Sequence, residues 1–193
     1  MTRSAAVREA AAALARGELV ALPTETYFAL GADALHEPAL KNLLERKGRD
    51  ATQTLSLLIE PELLPLVVAE VPPAARALMA AHWPGPLTLA LPARPGLPVA
   101  LVQADCVAVR VSPDPIARAL VRALGRPLTA TSANPAGAPP PRTAAQVRAY
   151  FPDLLVVGEG PTPGGPPSTL VRVTAAGLVE LVRAGPIAID VSI

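Results

Sequence analysis

The chain has 193 residues, 51% of them apolar but only 3% aromatic, so aliphatic side chains must build most of its core. Its 17 basic and 16 acidic residues leave a formal charge of +1. That balance excludes a generic polyanion binder relying on many phosphate contacts, but leaves room for a small anionic ligand held by a few aimed cations. The single cysteine, Cys106, excludes an intramolecular disulfide, and with two histidines a zinc site is not expected. Arg3, Arg8 and Glu9 interrupt any signal-peptide core, and the longest charge-free stretch, Ala77 to Ala93, is broken by Pro84, Gly85, Pro86 and Pro92. The expected address is the cytoplasm, with no membrane partner.

In chain order, Ser4 to Arg16 reads as a helix with Val7, Ala11 and Leu14 on one face, stopped by Gly17. Leu19 to Leu22 is a short buried strand, followed by the polar-aromatic turn Thr24-Glu25-Thr26-Tyr27-Phe28. A second helix begins near Pro38 and ends near Lys47-Gly48-Arg49. Leu55 to Ile59 is a strand, Ala74 to His82 a helix, and Leu87 to Leu91 and Val107 to Val111 are further strands. Pro115 to Leu124 is a helix closed by Gly125, and Leu128 to Thr131 a strand. After the proline-rich loop 135–141, Thr143 caps a helix reaching Tyr150. Leu154 to Val157 is a strand. Thr169 to Val173 and Leu178 to Val182 form a hairpin around Thr174-Ala175-Ala176-Gly177. Strands alternating with helices and ending in a hairpin predict an α/β fold with a twisted mixed sheet and helices packed on it, in one domain spanning 1–193.

Ligands in such folds bind at strand exits, and polar clusters stand there. Thr24 and Thr26 follow the first strand; Ser132-Ala133-Asn134 follows Thr131; Ser168-Thr169 opens the hairpin. Each also has a local reading, as turn former or backbone partner. Lys47-Gly48-Arg49 can equally be favourable charge at a helix C-terminus. Arg110 is the most suggestive placement, because an arginine among Val107, Val109 and Val111 needs an anionic partner if it is buried. Alternation would equally put it on a solvent face with Ala108. Neither phosphate-loop nor dinucleotide glycine motifs occur, and neither histidine sits in a pattern suggesting a triad.

Taken in order, these segments resemble the YrdC/Sua5 family of threonylcarbamoyl-adenylate synthases, including its YciO-like paralogues. The resemblance is carried by Leu22-Pro23-Thr24-Glu25-Thr26 with Leu30-Gly31-Ala32-Asp33, by Lys47-Gly48-Arg49 and by Trp83-Pro84-Gly85-Pro86-Leu87-Thr88. It continues through Val107-Ala108-Val109-Arg110, Thr131-Ser132-Ala133-Asn134 with Gly137, Ser168-Thr169 and Leu181-Val182-Arg183-Ala184-Gly185.

The resemblance implies a YrdC-like sheet around a large ligand cavity, in the short form without an extra C-terminal domain. It further implies formation of threonylcarbamoyl-AMP and pyrophosphate from L-threonine, bicarbonate and ATP, with Mg2+. The product would pass to the t6A machinery that modifies adenosine 37 of tRNA, with weak or no direct tRNA binding by this chain. The family's catalytic pairs fall on Lys47 and Arg49 and on Ser132 and Asn134. Thr26, Arg110 and Ser168 would meet threonine; Arg49, Ser132 and Arg183 would meet ATP. No resident metal ligand is implied. Four positions depart from the family pattern: Phe28 replaces a Tyr, Gln53 a Lys or Asn, Leu58 a His said to contact threonine, and Pro140 a Ser. The alternatives are a YciO-like paralogue with altered activity and a nucleotide- or double-stranded-RNA-binding protein.

Overall fold

The computed structural model describes residues 2–48 and 54–189; Arg49 and Gln53 therefore lie outside the described residues. Five helices are present among them: α1 (Arg3–Ala15), α2 (Glu37–Lys47), α3 (Pro73–His82), α4 (Pro115–Leu124) and α5 (Ala144–Tyr150). Capping sets several of their ends. The Asp114 carboxylate accepts from the Ile116 and Ala117 amides to start α4, and left-handed Gly125 stops it. Thr143 and Gln146 form a reciprocal capping box at the start of α5.

The sequence reading of one mixed sheet resolves into two. The smaller holds β1 (Val20–Leu22), β2 (Ala29–Gly31), β8 (Thr131–Ser132) and β9 (Leu155–Val156), in the order β8-β2-β1-β9. The larger joins β3 (Leu57–Leu58), β4 (Leu87–Pro92), β6 (Cys106–Arg110), β7 (Leu128–Thr129), β10 (Thr169–Val173) and β11 (Val179–Arg183). Their order is β11-β10-β4-β6-β3-β7, and β5 (Val102–Gln103) pairs with β6. Both sheets mix parallel and antiparallel pairs. The expected strand at Leu128 to Thr131 is shared between them, because the chain leaves the large sheet after Thr129 and enters the small one at Thr131. Ala130, at the crossing, donates its amide to the Ser56 carbonyl at 2.8 Å.

The two-residue period of the strands divides the core. Leu87, Leu89 and Leu91, Val107 and Val109, and Val171 and Val173 point into one cluster with Ala21, Leu57 and the apolar face of α2. Val20, Leu22 and Leu58 point into a second, beneath α1 and α4. On the large sheet, Thr88 and Ala90, Ala108 and Arg110, and Arg172 alternate with core residues and take the opposite face. That face remains partly uncovered, and it is where polar groups collect. No helix among the described residues is long and apolar enough to cross a membrane.

Glu60, nearly inaccessible, accepts from Arg118 at 2.7 and 2.8 Å and from Arg122 at 2.8 Å, tying α4 to the segment after β3. The Arg118 hydrogen bond, working against burial and reinforced by Arg122, holds its carboxyl below the usual glutamate range. Such a group stabilises the fold above its unfolded pKa, and the contribution is lost as pH falls through the depressed folded value. Glu60→Gln should therefore cost roughly 1–3 kcal/mol at pH 7. In urea melts its deficit relative to wild type should shrink as pH drops below about 4.3.

Candidate active site

A cavity of about 500 Å³ opens where the two sheets meet. Its walls come from the β1–β2 turn (Thr24, Thr26, Phe28), the crossing segment (Ala130, Thr131, Ser132), the large sheet (Ser56, Thr88, Arg110) and the β10–β11 side (Ser168, Arg183). Sequence neighbours explain little of this gathering. It follows from the sheet switch at Ala130 and from the parallel β4–β10 pairing that sets Thr169 beside Leu87.

The β1–β2 turn is built by its own hydroxyls. Thr24 Oγ1 donates to the Tyr27 carbonyl at 2.7 Å and accepts from the Thr26 amide at 3.2 Å. Turn former and cavity residue are thus the same residue, and the local and functional readings of Thr24 and Thr26 both hold geometrically. Arg110 is only 8% exposed and meets the anionic partner that its burial requires: its Nη1 donates to Glu25 Oε1. Glu25 Oε2 accepts from Ser112 Oγ at 2.6 Å. Burial pulls the Arg110 guanidinium below its ordinary value; Glu25 counters this, while the nearby charge of Arg183 adds to it. The solvent-facing alternative for Arg110 is excluded by this burial.

Ser168 sits in a second hydroxyl network. Its Oγ lies 2.7 Å from Thr88 Oγ1 and 3.3 Å from Arg183 Nη2, and its carbonyl accepts from Arg183 Nη2 at 2.9 Å. Gly185 explains the end of the Leu181-to-Gly185 run. A Cβ there would stand 2.3 Å from the Thr169 nitrogen and 2.6 Å from the Pro167 carbonyl oxygen, so only glycine lets the returning chain pack against the Ser168 wall.

Lys47 is held by backbone acceptors. It is 1% exposed, at the C-terminus of α2, and its ammonium donates to the Ser132 and Asn134 carbonyls at 2.5 and 2.7 Å. The Lys47 carbonyl in turn accepts from the Ala136 amide at 3.0 Å. Its part here is to clamp the Ser132–Asn134 loop, because a buried ammonium must have acceptors around it. Neither Lys47 nor Asn134 lines the cavity, whereas Ser132 does. Asn134 Nδ2 donates to the Pro135 and Ala138 carbonyls at 3.0 and 2.6 Å, shaping the loop, and among the described residues its buried Oδ1 has no partner.

Of the family departures, Phe28 and Pro140 line the cavity. Leu58 stands beside Arg110 in the β3–β6 pairing, but its side chain is buried in the second core cluster, covered by α1 and α4. Ser56, two residues earlier, reaches the cavity together with Thr54 and Leu55. The sequence reading missed Glu25, Ser56 and Thr88. Glu25 stood within a quoted motif, but nothing local marks it as the counter-ion of a residue on another sheet.

Fold and site describe an α/β protein whose cavity presents guanidinium and hydroxyl donors, a set suited to carboxylate or phosphate oxygens. A family profile, Sua5_yciO_yrdC, described as "Telomere recombination", matches residues 12–185. The chain belongs to this Sua5/YciO/YrdC family. The threonylcarbamoyl-AMP synthase of Pyrococcus abyssi is 43% identical over 140 residues, 72% of this chain and 41% of that protein. The protein of the same name from Idiomarina loihiensis is 43% identical over 140 residues, 70% of this chain and 75% of its own. The structure of P. abyssi Sua5 complexed with L-threonine matches at a TM-score of 0.85 and 38% identity, covering 93% of this chain and 54% of that one. E. coli YciO shares the fold, with a TM-score of 0.81 at 23% identity over 95% of this chain and 90% of its own. The chain thus spans about two fifths of the P. abyssi relative's length.

Two substitutions test the geometry. Gly185→Ala should destabilise by roughly 1–3 kcal/mol in urea melts. Gly160→Ala, where a Cβ meets nothing within 4 Å and φ is not positive, should have little effect. Lys47→Met should speed hydrogen exchange at the Ala136 amide and lower stability by roughly 1–3 kcal/mol.

Proposed function

We propose that this chain is a nucleotidyltransferase that makes threonylcarbamoyl-AMP and pyrophosphate from L-threonine, bicarbonate and ATP in the cytoplasm, with residues 1–193 acting as one domain. The observation that carries the reading is the buried Arg110 on the wall of a cavity also lined by Thr26, Ser132 and Ser168. Support comes from relatives named threonylcarbamoyl-AMP synthase and from the likeness to P. abyssi Sua5, whose structure is complexed with L-threonine.

Threonine's amine and bicarbonate give a carbamate with loss of water; a carbamate oxygen then attacks the α-phosphorus as pyrophosphate leaves. Positioning and charge neutralisation dominate such a transfer. Arg110 receives the threonine carboxylate, with Thr26 and Ser168 beside it. Arg183 and Ser132 take the nucleotide side, with Arg49. Lys47 and Asn134 hold the Ser132 loop in register.

Among the described residues no three His, Cys, Asp or Glu side chains gather, and the Glu25 carboxylate is engaged by Arg110 and Ser112. Mg2+ enters this reading as the counter-ion of ATP, part of the substrate. The adenylate would be consumed by the t6A machinery acting on tRNA.

The test is a substrate-omission assay. Pyrophosphate release from ATP should require both threonine and bicarbonate, and Arg110→Ala should raise the KM for threonine at least about tenfold. Threonine-independent turnover, or none in folded protein, would instead favour a YciO-like paralogue of altered activity.

A further inference from the structure

The Glu25–Arg110 pair joins the two sheets. Glu25 belongs to the turn between β1 and β2 of the small sheet, and Arg110 ends β6 of the large one. Both side chains are almost enclosed, 14% and 10% exposed, so the pair is little screened by solvent. Glu25 is also fixed from its other oxygen by Ser112, whose Oγ accepts from the Asp114 amide at 3.1 Å. The carboxylate is therefore held at both ends.

The geometry leaves the guanidinium half committed. Nη1 is engaged by Glu25, and among the described residues Nε and Nη2 have no hydrogen-bond partner. These two form the paired edge that receives a carboxylate side-on. Charge needs a third partner. Glu25 neutralises Arg110, so an incoming carboxylate would leave the trio net negative, and Arg183, close enough for its charge to act on Arg110, offsets that excess.

We infer that Glu25 is a positioning residue for amino-acid recognition: it anchors Arg110 through Nη1 so that the Nε/Nη2 edge faces the cavity as a fixed fork for the substrate carboxylate. This rests on the reading of Arg110 as the carboxylate receiver. Glu25 touches no reacting atom. It acts through Arg110, and by bridging the sheets it keeps Thr24 and Thr26 opposite that fork.

The experiment has two arms on the full chain. In steady-state kinetics, Glu25→Ala should raise the KM for threonine at least about tenfold while the KM for ATP and kcat change much less. Glu25→Gln, which keeps an acceptor for Nη1 without the charge, should recover part of the loss. An equal rise in both KM values, or no change in either, overturns the proposal. The second arm needs no turnover: nitrogen NMR of the Arg110 guanidinium in the ligand-free protein. Wild type should show distinct, slowly rotating Nη1 and Nη2, averaged in Glu25→Ala and partly retained in Glu25→Gln. Averaged signals in wild type, or distinct ones persisting in Glu25→Ala, overturn the anchoring. Retained anchoring with no threonine-dependent turnover in wild type overturns the proposed reaction instead.

Discussion

The architecture depends on one short stretch of backbone that serves two sheets. Between Leu128 and Ser132 the chain pairs first with β3 of the large sheet and then with β2 of the small one. The backbone groups freed at the crossing must find partners elsewhere. The Ala130 amide does so on the Ser56 carbonyl, and its carbonyl accepts from Ser56 Oγ. Two sheets that part at such a crossing leave a wedge between them. Ala130, Thr131 and Ser132 line it, which places the Ser132 hydroxyl at the cavity without requiring a long loop.

Charge within the wedge is sparse, in keeping with a chain of near-zero net charge. Arg110 is offset by Glu25, and Arg183 lies against the Ser168 carbonyl and hydroxyl. Neutral hydroxyls supply most of the remaining polar surface. A site of this kind recognises its ligand through direction more than through bulk potential. Each donor has a defined acceptor geometry, and few would attract an anion from a distance.

Much of the fold is legible in the sequence where local physics decides it. Pro115, Gly125 and the amphipathic run between them fix α4, and Thr143 with Gln146 fixes the start of α5. The alternation from Cys106 to Arg110 shows which residues enter the core, though not that the other face would be sheltered. β2 and β5 are too short to carry a period, so three or two residues become strand only through their neighbours. The split at Ala130 is invisible because an apolar run looks the same whether it serves one sheet or two. In the site, Thr26, Ser132 and Ser168 are visible at strand exits and Arg110 within an apolar strand, Arg183 is reached only through the family resemblance, and all five meet at one cavity. Glu25 is hidden for the opposite reason: its sequence neighbours are turn-forming threonines, and its partner is supplied by the tertiary fold. Lys47 stands out by its rarity, but only the structure shows its ammonium turned toward two carbonyls.

That lysine has a mechanical consequence. Its ammonium holds the Ser132 and Asn134 carbonyls while its own carbonyl holds the Ala136 amide, so the last turn of α2 and the 132–136 loop are laced from both directions. Gly48, in the left-handed conformation, follows directly and closes the helix. A shift of the last turn of α2 would therefore be transmitted to the strand end that carries Ser132, and the converse holds. Two segments remote in sequence are thereby tied together behind the cavity wall that Ser132 lines.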